Sequence, residues 1–131
     1  MKKIVCIGVV ALLCFCNFVG CTAKENNMKN EYTSITAQQA KELMGTENDY
    51  IIIDARTDEE FAEGHIKDAI LIPEYEIADR AEKDLPDKEQ LILVYCRSGR
   101  RSKIASEELV KLGYTNVKEF GGIIDWPYEV E

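Results

Sequence analysis

Cys96 is the residue best suited to covalent chemistry in this chain. It follows the apolar run 91–95 and opens the segment Cys96-Arg97-Ser98-Gly99-Arg100-Arg101-Ser102. A strand that ends at a cysteine, followed by a short glycine-containing turn and a helix, lets several backbone N–H groups converge on one sulfur. Because the arginines add fixed positive charge, we expect the chemistry of a sulfur anion.

The cysteine and histidine counts exclude several other site types. The chain has five cysteines and one histidine, His65. Every cysteine except Cys96 lies within or at the edge of an apolar leader, at positions 6, 14, 16 and 21. The remainder of the chain therefore has no partner for an internal disulfide, no dithiol couple and no cysteine-rich zinc site. We expect no metal site in this part of the chain.

The N-terminus has the features of an export signal. Lys2 and Lys3 precede an almost unbroken apolar run over residues 4–15, and Phe18-Val19-Gly20-Cys21 follows. This segment resembles a bacterial lipoprotein signal, which implies cleavage before Cys21 and attachment of a diacylglyceryl group to its sulfur. The alternative is an uncleaved membrane helix, because the run is nearly long enough to span a bilayer.

These features divide the chain into a signal peptide at 1–20, a polar flexible tether at 21–30 and one domain at 31–131. We expect a lipoprotein anchored to a membrane of the cell envelope, outside the cytoplasm. The formal charge is −8, and it becomes more negative once Lys2 and Lys3 are removed with the leader. Such an acidic domain disfavours binding to nucleic acid or to anionic lipid.

Strand-like and helix-like patterns alternate through the domain. Strands are predicted at 32–35, 51–53, 69–72, 91–95 and 116–120. Helices are predicted at about 36–44, with Gly45 as the stop, and at 57–64, 75–83 and 102–112. Short connections between alternating elements favour a three-layer α/β fold, with a mainly parallel sheet of about five strands flanked by helices.

Polar residues follow a second apolar strand at a position comparable to that of Cys96. Asp54 comes directly after the run 51–53, and ligands in open parallel sheets bind beyond the carboxyl ends of the strands. We expect Asp54 and Arg56 to support the cysteine loop through hydrogen bonds, as buried polar groups require. His65, in Gly-His-Ile, is interpreted as a packed histidine rather than a general base.

Two groups of residues carry a resemblance to a known family. The first group is Asp54-Ala55-Arg56, Glu60-Phe61, Gly64-His65-Ile66, Ala69 and Pro73. The second is the cysteine segment 96–102 together with the ending Gly121-Gly122 and Trp126. From about residue 32 to 126 the chain resembles a single-domain rhodanese. The resemblance implies the rhodanese-like fold and sulfur transfer without a cofactor.

In that family's reaction, the cysteine thiolate takes a sulfane sulfur from an anionic donor such as thiosulfate. The resulting persulfide on Cys96 passes the sulfur to a nucleophilic acceptor, which is a thiol, a cyanide-like ion or a protein. A persulfide donor is also possible. The resemblance assigns Cys96 as the catalytic residue and assigns substrate binding to the loop residues Arg97, Ser98, Gly99, Arg100, Arg101 and Ser102.

Two other functions are open at this point. Cysteine-dependent phosphatases and arsenate reductases place an arginine after a cysteine and five further residues, but here that position is Ser102. A loop shorter by one residue suits a single sulfur atom better than a tetrahedral oxyanion. A rhodanese-like module that only binds partners is the other alternative, and the presence of Cys96 weighs against it.

Overall fold

A computed structural model describes residues 31–131. The predicted signal peptide at 1–20, the lipidation of Cys21 and the tether at 21–30 lie outside the described residues. Within residues 31–131, no helix is long and apolar enough to cross a membrane.

A five-stranded parallel sheet forms the centre of the domain, which confirms the predicted fold class. In chain order the strands are β1 (Thr33–Ser34), β2 (Tyr50–Asp54), β3 (Ile70–Leu71), β4 (Leu91–Cys96) and β5 (Val117–Gly122). Their order across the sheet is β1-β5-β4-β2-β3, and every pair is parallel. All residues of the central strand β4 are buried, as expected for a strand covered on both faces.

Four α-helices connect the strands: α1 (Ala37–Thr46), α2 (Asp58–Glu63), α3 (Ile77–Asp84) and α4 (Arg100–Lys111). Thr36 and Gln39 form the capping box that starts α1. The helix continues through Gly45, so the predicted stop there was wrong. Gly45 has no positive φ and therefore lacks the left-handed conformation with which a glycine usually ends a helix.

Apolar residues cover both faces of the sheet. On one face, α3 and α4 contribute Ile77, Ala81, Ala105 and Leu109 to a core that includes Ile53 and Val94. On the other face, α1 and α2 pack Ala40 and Phe61 against Leu93, Phe120 and Trp126. The sheet is therefore the middle of three layers, and the carboxyl end of β4 is held rigidly between them.

Candidate active site

Cys96 ends β4 and lies at the base of a tight loop. Residues 97–99 connect it directly to α4, whose N-cap is Gly99. Gly99 has a φ of 106°, a left-handed conformation that glycine adopts without steric cost. Its backbone N–H donates to Cys96 Sγ at 3.0 Å. The loop therefore turns back over the sulfur, and only 1% of Cys96 is exposed.

The first turn of α4 lies beside this sulfur, since Ser102 Oγ is 3.4 Å from it. The first N–H groups of a helix have no intrahelical acceptor, so the helix leaves several donors free at its N-terminus. That end of a helix also carries partial positive charge. The Gly99 N–H and the start of this helix are therefore two features that favour negative charge at this position.

Strand β5 packs against the backbone of the loop. The pairing of β4 with β5 shifts register between Val94 and Cys96, which brings Gly122 opposite Cys96. A Cβ atom on Gly122 would collide with the backbone of Arg97 and Ser98. The loop can lie this close to the sheet because Gly122 has no side chain.

Ser102 and Glu119 form a polar group beside the sulfur. The Oγ atom of Ser102 lies 3.4 Å from Cys96 Sγ and 2.9 Å from Glu119 Oε1, and Ser102 is fully buried. Glu119 is 2% exposed and also accepts hydrogen bonds from Ser34 Oγ and the Gly121 N–H. A carboxylate is thus separated from the sulfur by a single hydroxyl group.

Asp54 and Arg56 form a buried ion pair at the end of β2. Arg56 Nη2 lies 2.8 Å from Asp54 Oδ2, and the same guanidinium donates to the carbonyl of Gly64. Tyr95, next to Cys96 in sequence, donates its hydroxyl to Asp54 at 2.7 Å. The pair thus joins β2 to the residue that precedes the cysteine, although its side-chain contacts do not reach the loop itself.

The same network shifts the pKa values of Tyr95 and Arg56. Burial raises the pKa of Tyr95, and the hydrogen bond to Asp54 raises it further. Burial lowers the pKa of Arg56, but the hydrogen bond and charge of Asp54 outweigh burial, so the pKa of Arg56 is raised overall. Both groups keep their protons at physiological pH, and the network holds one fixed arrangement of donors.

The loop arginines have different surroundings. Arg101 forms a bidentate ion pair with Glu60 of α2, with distances of 2.6 and 2.9 Å. This hydrogen bond with Arg101 is the main cause that lowers the pKa of Glu60 to about 2. Within residues 31–131, neither Arg97 nor Arg100 forms an ion pair, and both are exposed, as is Ser98.

A cavity of about 310 Å³ lies beside the loop. Its lining residues are Arg56, Glu60, Glu63, Arg97, Ile123 and Ile124. Cys96 is not among them, because the loop covers its sulfur. Arg97 is therefore the residue of the cysteine loop that lines this cavity.

The predicted site residues form one region of the molecule, with two additions that sequence reasoning missed. Glu119 and Tyr95 contact Ser102 and Asp54, respectively. The sequence contains one indication that Glu119 is buried. It lies two positions after Val117, so both side chains are on the same face of β5, where both are buried. His65 stacks on Phe61, and its Nδ1 atom lies 3.0 Å from the Phe61 carbonyl, far along the chain from the loop.

A family comparison matches residues 36–127 to the rhodanese-like domain. The chain belongs to the rhodanese-like domain family. In the described part of the chain, no group of three histidine, cysteine or acidic side chains is placed to hold a metal ion.

Curated relatives and solved structures agree with this assignment. The rhodanese-like domain is 41% identical over 73 residues to the thiosulfate sulfurtransferase PspE of Escherichia coli, covering 56% of this chain and 70% of the relative. It is 39% identical over 100 residues to a sulfurtransferase of Allochromatium vinosum, covering 76% and 89%. A structure described as a rhodanese with anions from E. coli has a TM-score of 0.59 and 36% identity, covering 63% of this chain and 96% of that one.

Proposed function

We propose that this rhodanese-like domain is a sulfurtransferase that carries a sulfane sulfur as a persulfide on Cys96. The observation that supports this most directly is the geometry of the loop, in which the Gly99 N–H lies 3.0 Å from Cys96 Sγ. A thiolate and a persulfide need the same surroundings, namely N–H donors and positive charge around a compact anion. The sulfurtransferase relatives support the same reaction class.

In the first half-reaction, the Cys96 thiolate attacks the outer sulfur of a thiosulfate-type donor. A new S–S bond forms on Cys96, the S–S bond of the donor breaks, and its electron pair leaves with sulfite. Arg97 contacts the cavity beside the loop, and Arg100 carries a second charge free of ion pairing within residues 31–131. These two arginines are the groups best placed to attract an anionic donor.

In the second half-reaction, a nucleophilic acceptor attacks the terminal sulfur of the persulfide. The bond between that sulfur and Cys96 breaks, and its electron pair returns to the Cys96 thiolate. The acceptor is a thiol, cyanide or a protein thiol. No electrons are gained or lost over the cycle, so a single cysteine suffices.

Residue 102 also favours sulfur transfer over the chemistry of a phosphatase or an arsenate reductase. Where the phosphatase pattern has an arginine, Ser102 is fully buried and bound to the carboxylate of Glu119. Position 102 therefore offers no guanidinium to hold the oxygens of a phosphate or arsenate.

The test is to incubate the protein with thiosulfate and locate any added sulfur by peptide mass spectrometry. We expect the mass of one sulfur atom on the peptide containing Cys96, removed by cyanide as thiocyanate. Cys96→Ser should lose both loading and thiocyanate formation. The control is Lys103→Ala, because that exposed side chain lies on α4 outside the loop and the variant should still load. A Cys96→Ser protein that transfers sulfur at the original rate would overturn the proposal.

We also propose that residues 1–20 direct export and that Cys21 receives the lipid anchor. The support is the sequence pattern of the leader, with its positive start, apolar run and small residue before Cys21. On this proposal the sulfurtransferase domain acts at the outer side of a membrane in the cell envelope.

A further inference from the structure

Glu119 is a buried carboxylate that the sulfur-transfer mechanism leaves unused. It lies on β5, is 2% exposed, and belongs to no ion pair within residues 31–131. Its oxygens accept hydrogen bonds from Ser34 Oγ at 2.9 Å, Ser102 Oγ at 2.9 Å and the Gly121 N–H at 2.7 Å. These neutral donors suit a carboxylate that carries its negative charge without a compensating cation.

The hydroxyl of Ser102 connects this charge to the reactive sulfur. Ser102 Oγ has one proton but three polar neighbours: Glu119 Oε1 at 2.9 Å, the Gly99 carbonyl at 3.0 Å and Cys96 Sγ at 3.4 Å. A carboxylate and a carbonyl can only accept hydrogen bonds, so the proton of Ser102 is directed away from the sulfur. Cys96 therefore faces a lone pair of Ser102, to which a thiol can donate but a thiolate cannot.

We propose that Glu119 is a positioning residue that orients Ser102 as a hydrogen-bond acceptor toward Cys96 and thereby opposes ionisation of the thiol. Both the lone pair of Ser102 and the negative charge of Glu119 oppose the thiolate, while the N–H of Gly99 favours it. The charge on Cys96 is set by the balance of these opposed groups. This role rests on the proposed function, in which Cys96 is the sulfur carrier.

The neighbouring elements contain few other charges that could produce the same effect. The titratable groups nearest this cluster are Tyr32 before β1, Cys96 on β4, and Arg101 and Glu107 on α4. Burial, followed by the charges of Glu107 and Glu119, raises the pKa of Tyr32, so that phenol stays neutral at physiological pH. Arg101 is bound to Glu60. Glu119 is thus the buried carboxylate that is connected to the sulfur by a single hydroxyl group.

The test measures alkylation of Cys96 by iodoacetamide as a function of pH, followed by mass spectrometry of its peptide. Glu119→Gln keeps an acceptor oxygen for Ser102 and removes the charge. We expect the midpoint of its pH profile to fall by about one unit, which corresponds to about tenfold faster alkylation at pH 6. The control is Glu107→Gln, which removes an exposed carboxylate of α4 and should leave the profile unchanged.

Ser102→Ala provides a second, independent measurement. If the hydroxyl accepts from the thiol, its removal should also lower the midpoint. If the hydroxyl instead donates to the thiolate, its removal should raise the midpoint, and that result would overturn the proposal. An unchanged profile in Glu119→Gln, or an equal shift in Glu107→Gln, would overturn it as well.

Alkylation does not require sulfur transfer, so the two proposals can fail separately. A shifted profile in a protein that never loads sulfur would support control by Glu119 and contradict the sulfurtransferase function. Sulfur loading with no shift in either variant would support the sulfurtransferase function and contradict the role of Glu119.

Discussion

At the scale of single residues, the domain stabilises two buried carboxylates in different ways. Asp54 is paired with the guanidinium of Arg56 and also accepts a hydrogen bond from Tyr95. Within residues 31–131, Glu119 accepts hydrogen bonds only from neutral groups. The first arrangement suits a fixed support of the strand ends, because the opposite charges hold one geometry. The second leaves the charge of Glu119 without a paired cation within residues 31–131, so on the proposed role it acts on Cys96 through Ser102.

Asp54→Asn should destabilise the domain. The substitution keeps the shape of the side chain but leaves the charge of Arg56 buried and unpaired, which costs about 3–5 kcal/mol. Urea unfolding at pH 7 measures the change. The matched control is Glu76→Gln, which breaks an ion pair with Arg80 whose side chains are each 41% exposed. That variant should lose less than about 1 kcal/mol. Equal losses in the two variants would contradict the structural role of Asp54.

At the scale of elements, side-chain contacts link secondary structures that are far apart in sequence. Glu60 on α2 binds Arg101 on α4, although 41 positions separate them. Gly122 on β5 lies directly beneath the backbone of Arg97. The conformation of the cysteine loop therefore depends on β5 and α2 as well as on the loop sequence.

The ion pair between α2 and α4 predicts a pH-dependent stability. The pKa of Glu60 is about 2, below its usual 4.5, mainly because of the hydrogen bond with Arg101. A lowered pKa means that the pair stabilises the domain fully above about pH 4.5 and is lost as the pH falls toward 2. Glu60→Gln should therefore cost about 1 kcal/mol at pH 7, and the difference from the unmodified protein should shrink below pH 4.5.

Urea unfolding between pH 7 and pH 3 would measure this difference. Glu108→Gln, which breaks an exposed ion pair with Lys111 on α4 alone, is the control and should have little effect at any of these pH values. A difference for Glu60→Gln that stays constant down to pH 3 would contradict the lowered pKa of Glu60.

Alanine should have opposite effects on stability at two glycines, Gly122, which lies against the loop, and Gly45, which has open space around it. Gly122→Ala should displace residues 97–98, cost about 1–3 kcal/mol through overpacking and reduce sulfur loading on Cys96. Gly45→Ala lies in α1 with no atom within 4 Å of the added Cβ, so it should stabilise the domain by up to about 1 kcal/mol. Thermal unfolding and a loading assay measure both. A fully active Gly122→Ala protein would contradict the close approach.

At the scale of the whole molecule, the described domain has apolar cores on both faces of its sheet within residues 31–131. The cysteine loop lies at the end of the central strand β4. On the proposal that residues 1–20 direct export, the leader determines where the protein acts, and the domain determines what it does.

Cys21→Ala tests the proposed location. We expect the variant to lose lipidation and to leave the membrane fraction or accumulate unprocessed, because the acceptor sulfur is gone. Loading of sulfur on Cys96 should be unaffected, since Cys21 lies outside the domain. Cys14→Ala, within the apolar run, is the matched control and should be anchored normally. Unchanged membrane retention of Cys21→Ala would favour the uncleaved helix instead.

The sequence by itself determined the features that depend on neighbouring residues. The alternation of apolar runs with capped helices predicted the parallel α/β fold, and the segment from Cys96 to Ser102 predicted a loop between a strand and a helix N-terminus. These features follow from local geometry, because strand and helix periods are visible in a short window. Even so, the predicted end of α1 at Gly45 was wrong, since a glycine near the end of a helix does not have to adopt the left-handed conformation.

Only the tertiary structure decided which distant groups surround the sulfur. Glu119 is 17 positions from Ser102, and their contact exists because β5 pairs with β4 beneath α4. Sequence reasoning grouped Arg101 with the substrate-binding residues and left open a contact with an acidic neighbour, and the packing of α2 against the loop identifies that neighbour as Glu60. Strand pairing and helix packing determine which of many possible partners a charged residue contacts. The electrostatic environment of Cys96 is therefore a property of the fold and cannot be read from the loop sequence alone.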